Sequence, residues 1–431
     1  VVAWLAVILA VCLRSGLRPR ERTLYTTWSQ AGRDWMNGRD LYRSYWEYHQ
    51  DQFRYSPLVA VTLVPFGPLP EGLGGILWRL LNAATLLGGL LWWMRAGLPR
   101  PASAREQAAA LLLILPLSLS SLNNAQPNPL LIGLLLMTAT AAATGRWNLA
   151  AVCVVLATAW KVYPLAVGLL LAAAYPRRFA PRLLLALAAW LALPLVCQHW
   201  DYVTHQYALW WKKLGTDDRK GWPPHMAYRD LWQLLRVWHV PLTPGGYLLI
   251  QAATAAGSAL LCVAARLRGW GAAQVAQAAL ALGCCWMTLL GPATEAATYV
   301  LIAPVLAWAA LEAIQRPWQR WGFRDAPAPP WPAPVRWMPA VSWWLFLLAV
   351  LAGLLPGTTE AAQVGRHPLA VLAEAVRSGR WPPTNQIHAL GLHALAALLL
   401  TAACAVAMLR SLAGTRPGRA AAQTPPPARA A

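Results

Sequence analysis

WNLAAVCVVLATAWKVYPLAVGLLLAAA, residues 147–174, holds a single strong cation, Lys161, whose neighbours are apolar for more than a helical turn on either side. A charge at that depth in a bilayer costs about 2.5–3.5 kcal/mol on insertion scales unless it reaches water, a partner or an anion. Two readings follow: a functional cation with an anion to meet, or a lysine near a helix end whose stem snorkels to the interface. Pro164 interrupts the run, so it predicts either two short crossings, 147–160 and 163–174, or one long helix broken at the proline.

The rest of the chain shares this character. With 58% hydrophobic and 12% charged residues, 431 residues do not make a soluble domain, and the reading is an all-α, polytopic integral membrane protein. A bilayer core takes about 20 apolar residues, fewer for helices packed inside a bundle. Further crossings are expected at 1–17, 72–96, 106–122, 129–144, 183–197, 244–266, 271–290, 297–313, 341–357 and 388–411, which makes about 10–12 transmembrane helices. The apolar but proline-rich stretch 57–70 is too short to cross and reads as re-entrant. All seven cysteines fall in or beside apolar segments without paired spacing in polar loops, so neither a disulfide framework nor a zinc site is indicated.

A formal charge of +20 would suggest nucleic acid in a soluble chain, but here the arginines concentrate in short loops, where they orient the protein and argue against nucleic acid as a partner. Arg95, Arg100 and Arg105, Arg146, Arg177, Arg178 and Arg182, Arg266 and Arg268, and the run from Arg316 to Arg336 mark the cytoplasmic side. Arg14, Arg18, Arg20 and Arg22 fall on the opposite side and resist this scheme. The first run reads as an uncleaved signal anchor, since no small-residue cleavage site is evident. The expected organisation is one transmembrane domain over 1–412, with outer loops 18–56, 198–243 and 358–387, and a disordered cytoplasmic tail over 413–431.

On this sidedness the chemically interesting residues gather on the outer face. They occupy the loop 18–56, the turn 123–129, the break 160–164, the loop 198–243 and the turn 291–298. A channel or scaffold has no reason to sort acids, amides and tryptophans this way. TLYTTWSQAGRDWMNG, residues 23–38, predicts an amphipathic helix on the membrane surface. The mixture of Tyr, Trp, Arg and acids in RDLYRSYWEYHQDQFRYSP, residues 39–57, suits a sugar, whose apolar face stacks on rings while its hydroxyls take hydrogen bonds. Any one of the 26 tryptophans reads equally as part of an interfacial aromatic belt.

AGRDWMNGRDLY, FRYSPLVAVTLVPFGPLP, LWRLLNA, NNAQPNPLLIGLLL and ATAWKVYPLAVGLLL, in this order, resemble glycosyltransferase family 87, whose members carry a gly-x-x-x-tyr segment, a tyr-x-pro segment, a gly-gln-x-asn turn and a lys-x-x-pro break. The resemblance covers about residues 20–175. It implies a C-type glycosyltransferase helical bundle in a bacterial-type plasma membrane, with its active site facing the periplasm. The implied activity is that of a hexosyltransferase moving a sugar, mannosyl in the better-known members, from a polyprenyl-phosphate donor to a hydroxyl on a lipid or glycan acceptor. No cofactor is implied.

Chemistry assigns candidates to each task. The leaving group is a phosphate, so a fixed cation stabilises the charge that develops on it: Lys161 first, then Arg54 and Arg79. Gln126 and Asn128 either bind sugar hydroxyls or satisfy carbonyls freed by the neighbouring prolines, and Tyr55 stands with them as a sugar or acceptor contact. Glu295 either binds acceptor hydroxyls, pairs with Lys161, or serves as a helix-start acid. An inverting transfer also needs a carboxylate base. The family's aspartate falls at Thr23 or Leu24 when Gly38 and Tyr42 are aligned, so the substitutes are Asp34, Glu47, Asp40 and Asp51, in that order of preference for the first two. Asp217 and Asp218 sit among Lys and Arg and read as solvated ion pairs, with no metal required. The missing aspartate keeps two other readings open: a flippase for a lipid-linked sugar, and an inactive relative acting in envelope assembly.

Overall fold

The computed structural model describes residues 1–21, 23–43, 52–216, 219–222, 227–319, 335–354, 377 and 391–414. Glu47 and Asp51, the pair Asp217 and Asp218, nearly all of the loop 358–387 and the tail beyond 414 lie outside them. Among the described residues the chain is helical throughout, with no strand. In order come α1 (Val2–Leu17), α2 (Tyr25–Met36), α3 (Pro57–Leu63), α4 (Glu71–Trp92), α5 (Ala104–Asn123), α6 (Asn128–Ala143), α7 (Trp147–Trp160), α8 (Leu165–Ala174), α9 (Ala180–Cys197), α10 (Trp200–Thr216), α11 (Leu231–Val237), α12 (Pro244–Leu267), α13 (Ala272–Leu289), α14 (Ala303–Gln319), α15 (Met338–Leu354) and α16 (Leu392–Gly414). Each expected crossing has its helix. Six segments of described structure are long and apolar enough to cross a bilayer, Glu71–Gly97, Ala104–Asn123, Ala180–Cys197, Pro244–Leu267, Ala272–Leu289 and Leu392–Ala413, and shorter apolar helices pack among them.

A helix that is apolar all round belongs inside a bundle, and α6 is buried on nearly every side. Its closest neighbour is α4, and two glycines set that approach. A Cβ on Gly89 would stand 2.5 Å from the Gly133 carbonyl oxygen, and one on Gly133 would stand 2.4 Å from that of Thr85. Backbone therefore lies directly on backbone, as in membrane helix pairs built on small residues. At the periphery α9 and α12 present Leu184, Leu185, Leu191, Leu248, Leu249 and Leu260 outward, where lipid would cover them.

The alternatives at Pro164 resolve in favour of two helices. α7 stops at Trp160, Lys161 is extended (φ −145°, ψ 136°), and α8 begins at Leu165. A Cβ on Gly168 of α8 would meet Val154 of α7 at 3.4 Å, so the chain turns back on itself at the break. The stretch 57–70 forms α3 and a 3₁₀ turn, Val64–Phe66, and most of α3 is buried in protein. α2 differs from expectation: the helix is present, but Tyr25, Trp28, Ala31 and Trp35 are core residues. Gly32 explains how, for a Cβ there would lie 2.4 Å from the Leu63 carbonyl oxygen, which draws α2 down onto α3. Most of its polar residues find partners within the protein.

Candidate active site

The five outer segments read from the sequence meet at one cavity of about 190 Å³. Leu24 and the stretch Arg54, Tyr55 and Ser56 come from the first; Gln126 from the second; Ala159–Tyr163 from the break; Trp210, Lys213, Leu214 and Tyr228 from the long loop; and Pro292, Ala293 and Glu295 from the last. Interior packing holds the segments together. The turn at 123–128 is anchored through Ala125, whose carbonyl accepts from both Trp28 Nε1 and Trp78 Nε1 at 2.9 Å. Trp28, Tyr55, Trp78 and Trp160 form one aromatic cluster, with Trp28 4.8 Å from Tyr55 and Trp78 5.0 Å from Trp160 between centroids. Ser56 Oγ donates to the Ala159 carbonyl at 3.0 Å, tying the start of α3 to the break.

Lys161 enters the cavity from that break. Its Nζ donates to Asn128 Oδ1 at 2.9 Å and stands 5.6 Å from the Tyr163 ring centroid. Asn128 is fully buried, and its Nδ2 donates to the Ala297 carbonyl at 3.1 Å and to Ser121 Oγ at 3.3 Å. It therefore orients the lysine and satisfies a carbonyl, and has no surface left for a sugar. Gln126 does line the cavity, and its Nε2 donates to Glu295 Oε2 at 3.4 Å.

Glu295 is the one carboxylate among the described residues that line the cavity. Its side chain is 42% exposed and pairs with Arg219 Nη1 at 3.4 Å. Arg219 stands against the rings of Trp222 and Tyr228, 5.4 and 5.0 Å from their centroids. Arg229 ties the long loop to the last turn, its backbone N–H donating to the Thr294 carbonyl at 2.7 Å. Burial holds the Arg229 guanidinium below the usual arginine range, and Tyr299 and Glu295 oppose that shift.

Three of the expected site residues stand elsewhere. Asp34 is buried on α2, where it accepts from Gln30 Nε2 and Arg43 Nη2, each at 3.0 Å. Asp40 accepts from the Tyr42 backbone N–H at 2.8 Å, a local turn. Arg79 is buried on α4, and its guanidinium donates to Ser15 Oγ, Thr23 Oγ1 and the carbonyls of Gly75, Leu122 and Asn123, which makes it a clasp between α1, α4 and α5. Glu47 and Asp51 fall outside the described residues. In the other direction, Tyr163, Trp210, Lys213 and Tyr228 line the cavity without having been singled out, and Arg219, read as solvated, is only 15% exposed. The spacing of Val203, Gln206, Trp210 and Lys213 along α10 was the available signal for two of them.

The profile of glycosyltransferase family 87 matches residues 53–292. Among solved structures, a crystal structure of ArnT from Cupriavidus metallidurans bound to undecaprenyl phosphate is similar at 14% identity and a TM-score of 0.40, over 94% of this chain and 78% of that one. No curated protein sequence matches.

Proposed function

The chain belongs to glycosyltransferase family 87, and on that premise we propose that its cavity is where a hexosyl group leaves a polyprenyl-phosphate carrier for a hydroxyl acceptor. The observation that carries this reading is the meeting of Lys161, Arg54 and Glu295 at one cavity built from five distant segments. The acceptor oxygen bonds to the anomeric carbon as the bond from that carbon to the phosphate oxygen breaks. The electron pair leaves with the phosphate, and the hydroxyl proton passes to a carboxylate. Lys161 and Arg54 stabilise the charge growing on the leaving phosphate, with most effect in a site that excludes water. Leu24, at or beside the place of the family's aspartate, lines the cavity and cannot take a proton. Glu295 takes that role from another wall, with Gln126 and Arg219 orienting its two oxygens. Tyr55 and Trp160 offer ring faces and edges to the sugar. We assign the reaction to the outer face of a bacterial-type plasma membrane, with a lipid or glycan as acceptor.

Release of polyprenyl phosphate by purified protein supplied with a polyprenyl-phosphate hexose and an acceptor tests the reading. Lys161→Ala should slow release by about 10²–10³-fold, and Glu295→Gln by at least about 10²-fold, both with retained thermal unfolding. Undiminished release in both variants defeats these assignments. Movement of intact donor between leaflets without cleavage would make the protein a flippase.

A further inference from the structure

Lys213 is a second lysine on the cavity wall, and α10 brings it there. Val203, Gln206, Trp210 and Lys213 recur at helical spacing and turn inward: Val203 and Gln206 are buried, and Trp210 and Lys213 reach the cavity. The start of α10 is fixed. Gln206 Oε1 accepts from the Leu41 N–H at 3.0 Å, Tyr202 Oη donates to the Arg39 carbonyl at 2.7 Å, and Tyr207 Oη donates to the Leu191 carbonyl at 3.1 Å. Trp200 and Trp211 project the other way, 63% and 76% exposed.

The two lysines are held alike. Lys161 donates to the amide oxygen of Asn128, and Lys213 donates to the amide oxygen of Gln52, two residues before Arg54. An amide oxygen orients an ammonium without neutralising it, so each retains its charge for an anion. Among the described residues neither lysine forms an ion pair with a carboxylate. A sugar phosphodiester carries one negative charge and the released phosphate up to two, so a further cation beside Lys161 and Arg54 discriminates in favour of the leaving group.

Building on the transferase reading above, we propose that Lys213 is a phosphate-contacting residue of the donor site, delivered by α10. Lys212, its exposed neighbour of equal charge, provides the control. Equilibrium binding of a short-chain prenyl phosphate, with the matching prenol as reference, should weaken about tenfold or more in Lys213→Ala and Lys213→Gln. It should stay near wild type in Lys212→Ala and be largely restored in Lys213→Arg. In turnover, Lys213→Ala should weaken inhibition by the product phosphate by a similar factor and raise the donor KM by a smaller one. Equal behaviour of Lys213→Gln and Lys212→Ala in binding overturns the proposal, and Lys213→Gln decides if the alanine variant does not fold. Wild-type protein that binds prenyl phosphate through Lys213 yet never cleaves donor would defeat the transferase reading and leave this inference standing.

Discussion

Ala125 has φ +54°, in the left-handed region that costs an L-residue about 1–2 kcal/mol. The conformation is what aims its carbonyl at the indoles of Trp28 and Trp78. Ala125→Gly should remove that strain of about 1–2 kcal/mol while losing about 0.4–1 kcal/mol to the freer unfolded chain, for a net gain of up to about 1.6 kcal/mol, read as a midpoint in denaturant unfolding in detergent that is unchanged or higher. Should the variant melt lower, the strain account of this turn is wrong. The same scale explains which residues of the cavity could be read in advance. Lys161, Gln126 and Glu295 stand out because a charge or amide at a break between apolar runs has few local ways to be satisfied. Asp34 and Arg79 looked equally suggestive, but their roles depend on the loop residue Arg43 for one and on Ser15, Leu122 and Asn123 for the other, which only folding brings into contact.

Elements were legible wherever length and hydropathy decide, and each of the expected crossings has its helix within a few residues except where a 3₁₀ turn, Ala296–Leu301, begins the segment before α14. The position of α2 was not legible, because the signal is one missing side chain, Gly32, whose partner is the Leu63 carbonyl. Glycine contacts of this kind make a paired prediction. Gly133→Ala would push a methyl into the Thr85 carbonyl and should cost about 1–3 kcal/mol by overpacking. Gly257→Ala on α12 meets open space and should stabilise by about 0.5–1 kcal/mol through helix propensity. Thermal unfolding of the two variants should move in opposite directions, and a common direction would sink the account of how α4 and α6 pack.

At the scale of the whole molecule, arginine bias predicts that the cavity end of the bundle faces outward. In a background stripped of native cysteines, Lys212→Cys should react with a membrane-impermeant maleimide added to intact spheroplasts, and Arg177→Cys should react only after lysis. The reverse pattern would turn the protein over and with it the assignment of the reaction to the outer face. α7 has 14 residues and α8 has 10, or roughly 21 and 15 Å of helix at 1.5 Å per residue. Hydrocarbon of ordinary thickness, about 30 Å, is matched by neither, and both bury much of their surface among neighbouring helices, as short members of a bundle can. A chain that reverses after so short a run plants its ammonium at the junction of two stubs instead of at the tip of a full crossing.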